Sequence, residues 1–125
     1  MSAALVETTR HHAALDAATL DRLQQSLLAQ RSAQVDVVFE SQASATELAE
    51  HRGSENIVSR ELATASAARA REVIRELDAA LERMEQGTYG LCGRCPSPIP
   101  VARLEALPHA RFCVRCAEST SGFLG

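Results

Sequence analysis

The chain has 125 residues, a formal charge of −3 and 46% hydrophobic residues, yet only four aromatics and no Trp. That length allows one domain, or one domain with an attached module. The scarcity of aromatics and the abundance of Ala exclude a thick globular core and favour closely approaching helices. No stretch approaches the ~20 consecutive apolar residues needed to cross a bilayer, so no membrane partner is expected.

Met1 to Leu15 is expected to be a flexible lead. It lacks the charged start and long apolar run of a secretory signal, which points to a soluble, cytoplasmic protein. His11 and His12 lie here with no other ligand types nearby and read as a solvated tail. From Asp16 to Ala49 the apolar positions Leu20, Leu23, Leu27, Val35, Val38 and Ala45 recur at three- and four-residue steps, which predicts a long helix. Arg31 and Gln42 interrupt that face. Gly53 supplies a helix stop, and Ser54 or Asn56 can cap the next start.

A second helix is predicted from about Asn56 to Gln86, with Val58, Leu62, Ser66, Ala70, Val73, Leu77, Leu81 and Met84 as its inward stripe. Small residues crowd its middle, and Glu72, Arg75 and Asp78 set opposite charges at helical spacing. Two such helices joined by a short turn predict an antiparallel hairpin spanning 16–86, roughly 45 Å long at 1.5 Å per residue, with its tip near 49–56. Residues 16–86 carry a net −5 and residues 87–125 a net +2. An acidic body suits neither phosphate neutralisation nor sequence-specific DNA binding.

Gly87 and Gly90 allow the positive φ that turns the chain out of the second helix. Beyond them lie Cys92-Gly-Arg-Cys95 and Cys113-Val-Arg-Cys116, the only cysteines, with seventeen residues between the pairs. Two Cys-x-x-Cys turns can aim four thiolates at one point, the closed tetrahedral set of a structural zinc site. Disulfides would need an oxidising compartment, and a thioredoxin-like dithiol would need a βαβ pattern that is not visible. One zinc per chain, held by Cys92, Cys95, Cys113 and Cys116, is the expected cofactor. Pro96, Pro98 and Pro100 exclude a helix directly after Cys95, while Val101 to Leu107 can form a short turn. Tyr89, Ile99, Leu104 and Phe112 are the candidate small core, and the residues after Cys116 are read as too few for another element. The expected fold is mostly α: a long antiparallel two-helix coiled-coil hairpin followed by a small C4 zinc finger over 87–125.

The segment from Leu77 through Glu82-Arg83-Met84-Glu85-Gln86-Gly87-Thr88-Tyr89-Gly90-Leu91 to Cys92 closely resembles the DksA/TraR family of bacterial transcription factors. So does the segment from Ile99 through Arg103-Leu104-Glu105-Ala106-Leu107-Pro108-His109-Ala110-Arg111-Phe112 to Cys116. The resemblance implies a protein that binds RNA polymerase, inserts its hairpin through the secondary channel and alters initiation without specific DNA contacts. It also implies a tip with two aspartates in a D-x-x-D-x-A pattern, which an ungapped count places on Ala49, Arg52 and Ser54. Neither acid is present; Glu50 and Glu55 flank the turn. Arg69 matches a basic position that faces polymerase in the family. Positions that carry basic groups in alarmone-cooperating members are Glu76 and Leu107 here, so alarmone binding is not carried over. Pro96 stands where the family usually has Gly. No Ser-His-Asp set or phosphate loop is present, and a closed S₄ site leaves no open metal position, so no enzyme is expected. The alternative reading is a zinc-finger adaptor acting on a protein other than polymerase.

Overall fold

The computed structural model describes residues 15–50 and 54–124, with side chains described for 15–50 and 56–119. Among these residues four helices follow in order: α1 (Ala17–Ala49), α2 (Ser54–Gln86), α3 (Val101–Ala106) and α4 (Val114–Leu124). The fold class is the expected one, two long helices packed together and followed by a four-cysteine module. Asp16 caps α1: Thr19 N–H donates to its Oδ1 at 2.7 Å, and Leu20 N–H to its carbonyl at 3.0 Å, which satisfies donors the helix cannot serve itself. His11, His12, Arg52 and Gly53 lie outside the described residues.

The chain divides into two compact units, Leu28–Asp78 and the remainder, which joins the residues through Leu27 to those from Ala79 onward. In the first unit the helices run antiparallel. Arg31 Nε donates to Asp78 Oδ1 at 2.6 Å, and Ser41 Oγ to Ser66 Oγ at 3.2 Å, so moving up α1 means moving down α2. Arg31, read as an interruption, is thus a cross-helix partner, and Asp78 pairs with it. Arg75 pairs instead with Glu72 one turn earlier.

The seam follows a seven-residue repeat. On α1 of this unit the half-buried positions Gln34, Ser41 and Leu48 recur at that step, and on α2 the buried or half-buried Asn56, Ala63, Ala70 and Leu77 do the same. This is the repeat that keeps two helices facing each other. The stripe expected on α2 drifts off it at the tip end. Val58 is 57% exposed and Leu62 64% exposed, so neither faces α1. The reason is geometric: stepping by four residues from Ser66 back to Leu62 and Val58 advances about 40° per step around the helix, whereas the seam takes Ala63 and Asn56. Ala67 and Ala70 are each only 2% exposed, and their size lets the backbones approach where Leu would hold them apart.

The other unit has its own core, comprising Leu15, Leu23, Leu27, Ala80, Tyr89, Ile99, Leu104, Pro108 and Ala110. Leu15, placed in the lead by sequence, is buried. Phe112 is only half-buried and lines the edge of this core. The second cysteine pair also opens an element that sequence reading missed. Helix α4 begins at Val114, inside the Cys-x-x-Cys turn, with Ala117 N–H donating to Cys113 O at 2.9 Å. Counting residues only after Cys116 overlooked that the knuckle itself supplies the first turn. No helix among the described residues is long and apolar enough to cross a membrane.

Leu77 and Leu62 separate the two readings of the α2 stripe. Leu77→Ala should cost about 2–5 kcal/mol, the range for a fully buried Leu, and Leu62→Ala less than about 0.5 kcal/mol. Equal losses in chemical denaturation would return Leu62 to the seam.

Candidate functional site

The finger begins where α2 ends. Gly87 takes φ 77° and Gly90 φ 85°. Thr88 N–H donates to Arg83 O at 2.9 Å and Gly87 N–H to Met84 O at 3.3 Å, the paired bonds of a Schellman stop that needs a left-handed residue at Gly87. The chain then doubles back between Leu91 and Pro98, which form an antiparallel bridge. Cys92 N–H donates to Ser97 O at 3.0 Å, and Ile99 N–H to Gly90 O at 2.7 Å. This small hairpin presents the first cysteine pair.

The second pair is brought opposite by α3 and the loop after it. Arg103, near the end of α3, donates from Nε to Phe112 O at 3.0 Å, and Gly93 N–H donates to Arg111 O at 2.9 Å. A Cβ at Gly93 would lie 3.2 Å from the Phe112 ring, so any side chain there would make that ring give way by a few tenths of an ångström. Tyr89 is 1% exposed and its hydroxyl donates to Pro108 O at 2.8 Å, which ties the turn after α2 to the loop before Cys113. Arg103 and Gly93 were not singled out by sequence, although both sit inside the motifs that carry the resemblance. Near the start of α1, Arg22 reaches Glu105 of α3 at 3.5 Å.

All four cysteine sulfurs lie within 4.8 Å of one another, with Cys95 Sγ and Cys113 Sγ 3.7 Å apart. Four ligands at about 2.3 Å around a tetrahedral ion stand about 3.8 Å apart, so the donor set fits zinc. Arg94 N–H points at Cys92 Sγ at 3.5 Å, a donor that favours thiolate over thiol. The acidities show why a cation belongs here. Removal from water opposes ionisation of Cys92, but the N–H groups of Cys113, Arg94 and Cys95 and the Cys95 thiol outweigh it and bring the group to about 6. Bonding around Ser97 pulls Cys95 below the ordinary thiol value. Cys116 is pushed up to about 12, first by its contact with Cys113 and then by desolvation and the other thiols. Some sulfurs ionise readily at the expense of others, and a divalent ion at the centre removes that conflict.

At the other candidate site, Ala49 ends α1 and is exposed, as is Glu50, whose N–H donates to Glu47 O at 3.2 Å. Ser54 and Glu55 open α2, and their side chains lie outside the description, as does Arg52 entirely. Arg69 is exposed on α2.

Residues 87–121 match the family described as the prokaryotic dksA/traR C4-type zinc finger. An uncharacterized protein of Aquifex aeolicus is 56% identical over 45 residues, covering 36% of this chain and 31% of the relative. The RNA polymerase-binding transcription factor DksA of Caulobacter vibrioides is 42% identical over 72 residues, covering 58% of this chain and 49% of the relative. The matched segments therefore span half or less of these curated relatives. The solved structure of transcription factor DksA2 from Pseudomonas aeruginosa shares the fold, with a TM-score of 0.78, 24% identity and 86% of each chain covered. The segment 87–121 is similar to the dksA/traR C4-type zinc finger, and one zinc ion is the cofactor of this finger.

Two measurements follow from this geometry. Elemental analysis should give one zinc per chain, and chelation should unfold the finger while most of the helical circular dichroism persists, because the finger's core is too small to hold without metal. Zinc well below one per chain, with disulfides found by mass spectrometry, would contradict this. Tyr89 is the only tyrosine, so absorbance at alkaline pH reports it alone. Burial pushes its phenol up to about 12, against the opposing Arg83 charge. The folded state keeps a proton that the unfolded chain loses near 10, so stability should fall as pH rises from about 10 towards 12, by at most about 3 kcal/mol. Phenolate appearing near pH 10 in the folded, zinc-loaded protein would refute the burial argument.

Proposed function

We propose that this chain is a DksA-like regulator of transcription that binds RNA polymerase in the cytoplasm and acts without catalysing a reaction. The observation that carries the reading is the 72-residue likeness to a DksA named for polymerase binding. The shared hairpin-and-finger fold supports it. Within this reading Cys92, Cys95, Cys113 and Cys116 ligate the zinc, and the finger is a structural base. The hairpin enters the secondary channel with Ala49, Glu50, Arg52, Ser54 and Glu55 at its tip, and Arg69 contacts polymerase from α2. DNA is not read by sequence, and alarmone binding is not part of the proposal, since Glu76 would repel an anion.

The tip then works differently from an acidic one. Two carboxylates near a catalytic Mg²⁺ act through strong local electrostatics, and Arg52 brings the opposite sign. Occupancy of the channel is separated in this way from the effect exerted at its end. Competition with another channel-inserting factor tests occupancy: displacement is the expected result, and capture of a different complex with no polymerase would favour the adaptor reading. Ala49→Asp combined with Arg52→Asp should strengthen the effect on transcription in vitro with binding altered less than about threefold. A native protein already as potent as the acid-restored variant would overturn the account of the tip and shift the role to Glu50 or Glu55.

A further inference from the structure

Backbone carbonyls in the arm that leads to Cys113 are taken up by donors from three other parts of the chain. The Tyr89 hydroxyl, just after α2, donates to Pro108 O at 2.8 Å. Gly93 N–H, inside the first cysteine turn, donates to Arg111 O at 2.9 Å. Arg103, on α3, donates from Nε to Phe112 O at 3.0 Å. The last of these donors is charged, and its acceptor lies one residue before a zinc ligand. A planar peptide carries its C=O and its N–H on opposite edges, so a bond that fixes the oxygen also fixes the hydrogen. Here that hydrogen belongs to Cys113, whose N–H donates to the sulfur of Cys92. One guanidinium thus heads a short series: Arg103 Nε, the peptide between Phe112 and Cys113, and the Cys92 sulfur. Arg103 is half-buried and has no ion pair among the described residues, since Glu105, two positions on, faces Arg22 instead.

We propose that Arg103 is a positioning residue of the zinc centre, acting through the peptide between Phe112 and Cys113 to hold an N–H donor on the Cys92 sulfur. That role belongs to the finger itself, whatever the hairpin binds. Four thiolates outweigh one divalent ion in charge, so each sulfur keeps negative charge that an N–H group can offset. A cationic donor at the carbonyl draws electron density through the peptide and strengthens the N–H on its other edge, as hydrogen bonds in series do. The effect also spans the two arms, because Cys92 and Cys113 belong to different cysteine turns. Leu104, the next residue of α3, is buried in the finger core. It supports the same helix, but its apolar side chain can offer the Phe112 carbonyl no hydrogen bond, which makes it the natural control.

The test uses the full chain, loaded with zinc for release measurements and with cobalt for spectroscopy. Arg103→Met removes the donor and should speed zinc transfer to a chelator about tenfold or more, in line with the loss of a group that orients a ligand. Its sulfur-to-cobalt charge-transfer band should move to longer wavelength, because a thiolate with a weaker hydrogen bond gives up an electron more readily. Arg103→Lys keeps a charged donor without the planar fork and should show smaller changes in both. Leu104→Ala loosens the same helix, so it should also speed release, but with the band where the parent has it. Zinc release from Arg103→Met within twofold of the parent overturns the proposal. Faster release with an unmoved band also overturns it, since Arg103 would then be a brace for the arm and nothing more, as does an equal band displacement in Leu104→Ala. If Arg103→Met takes up no cobalt, Arg103→Gln decides by the same two readouts.

Discussion

Four thiols are held where four thiolates repel one another, and the module around them is arranged to make that tolerable. The backbone aims N–H groups at Cys92, while Cys116 resists ionisation beside Cys113. A divalent cation converts this repulsion into the strongest attraction in the finger. The arms depend on it because little else joins them. Beyond Tyr89, Ile99, Leu104, Pro108 and Ala110, hydrogen bonds from Gly93 to Arg111 and from Arg103 to Phe112 help to hold the two arms together.

The long helices solve a different problem. With so few large side chains, the Leu28–Asp78 unit is packed by closeness: Ala67 and Ala70 are buried, and a hydroxyl pair sits at the level of Ser41 and Ser66. The ion pair between Arg31 and Asp78 is half exposed on both sides, so it contributes to register more than to stability. Large apolar groups are instead displayed outward at Phe39, Ile57, Val58 and Leu62.

The functional reading divides along the same line. The finger carries the family's motifs, while the turn between α1 and α2 departs from the acidic pattern that the resemblance implies. A chain can keep the means of reaching a partner and alter what it does there, because the first depends on fold and surface and the second on one or two charges.

Much of this was legible in the sequence. The cysteine spacing dictated a four-sulfur cluster, the glycines at 87 and 90 dictated the exit from α2, and periodicity placed both long helices to within two residues at either end, because caps, stops and thiol turns are local events written in consecutive residues. What faces what was decided by tertiary structure. Steps of three and four residues describe a helix face, but only packing against a second helix selects the seven-residue seam that leaves Val58 and Leu62 outside and takes in Asn56 and Ala63. The pairing of Arg31 with Asp78, the start of α4 within a cysteine turn and the bond from Arg103 to the Phe112 carbonyl have the same origin. Each depends on where a distant part of the chain comes to rest, and no local pattern of residues contains that information.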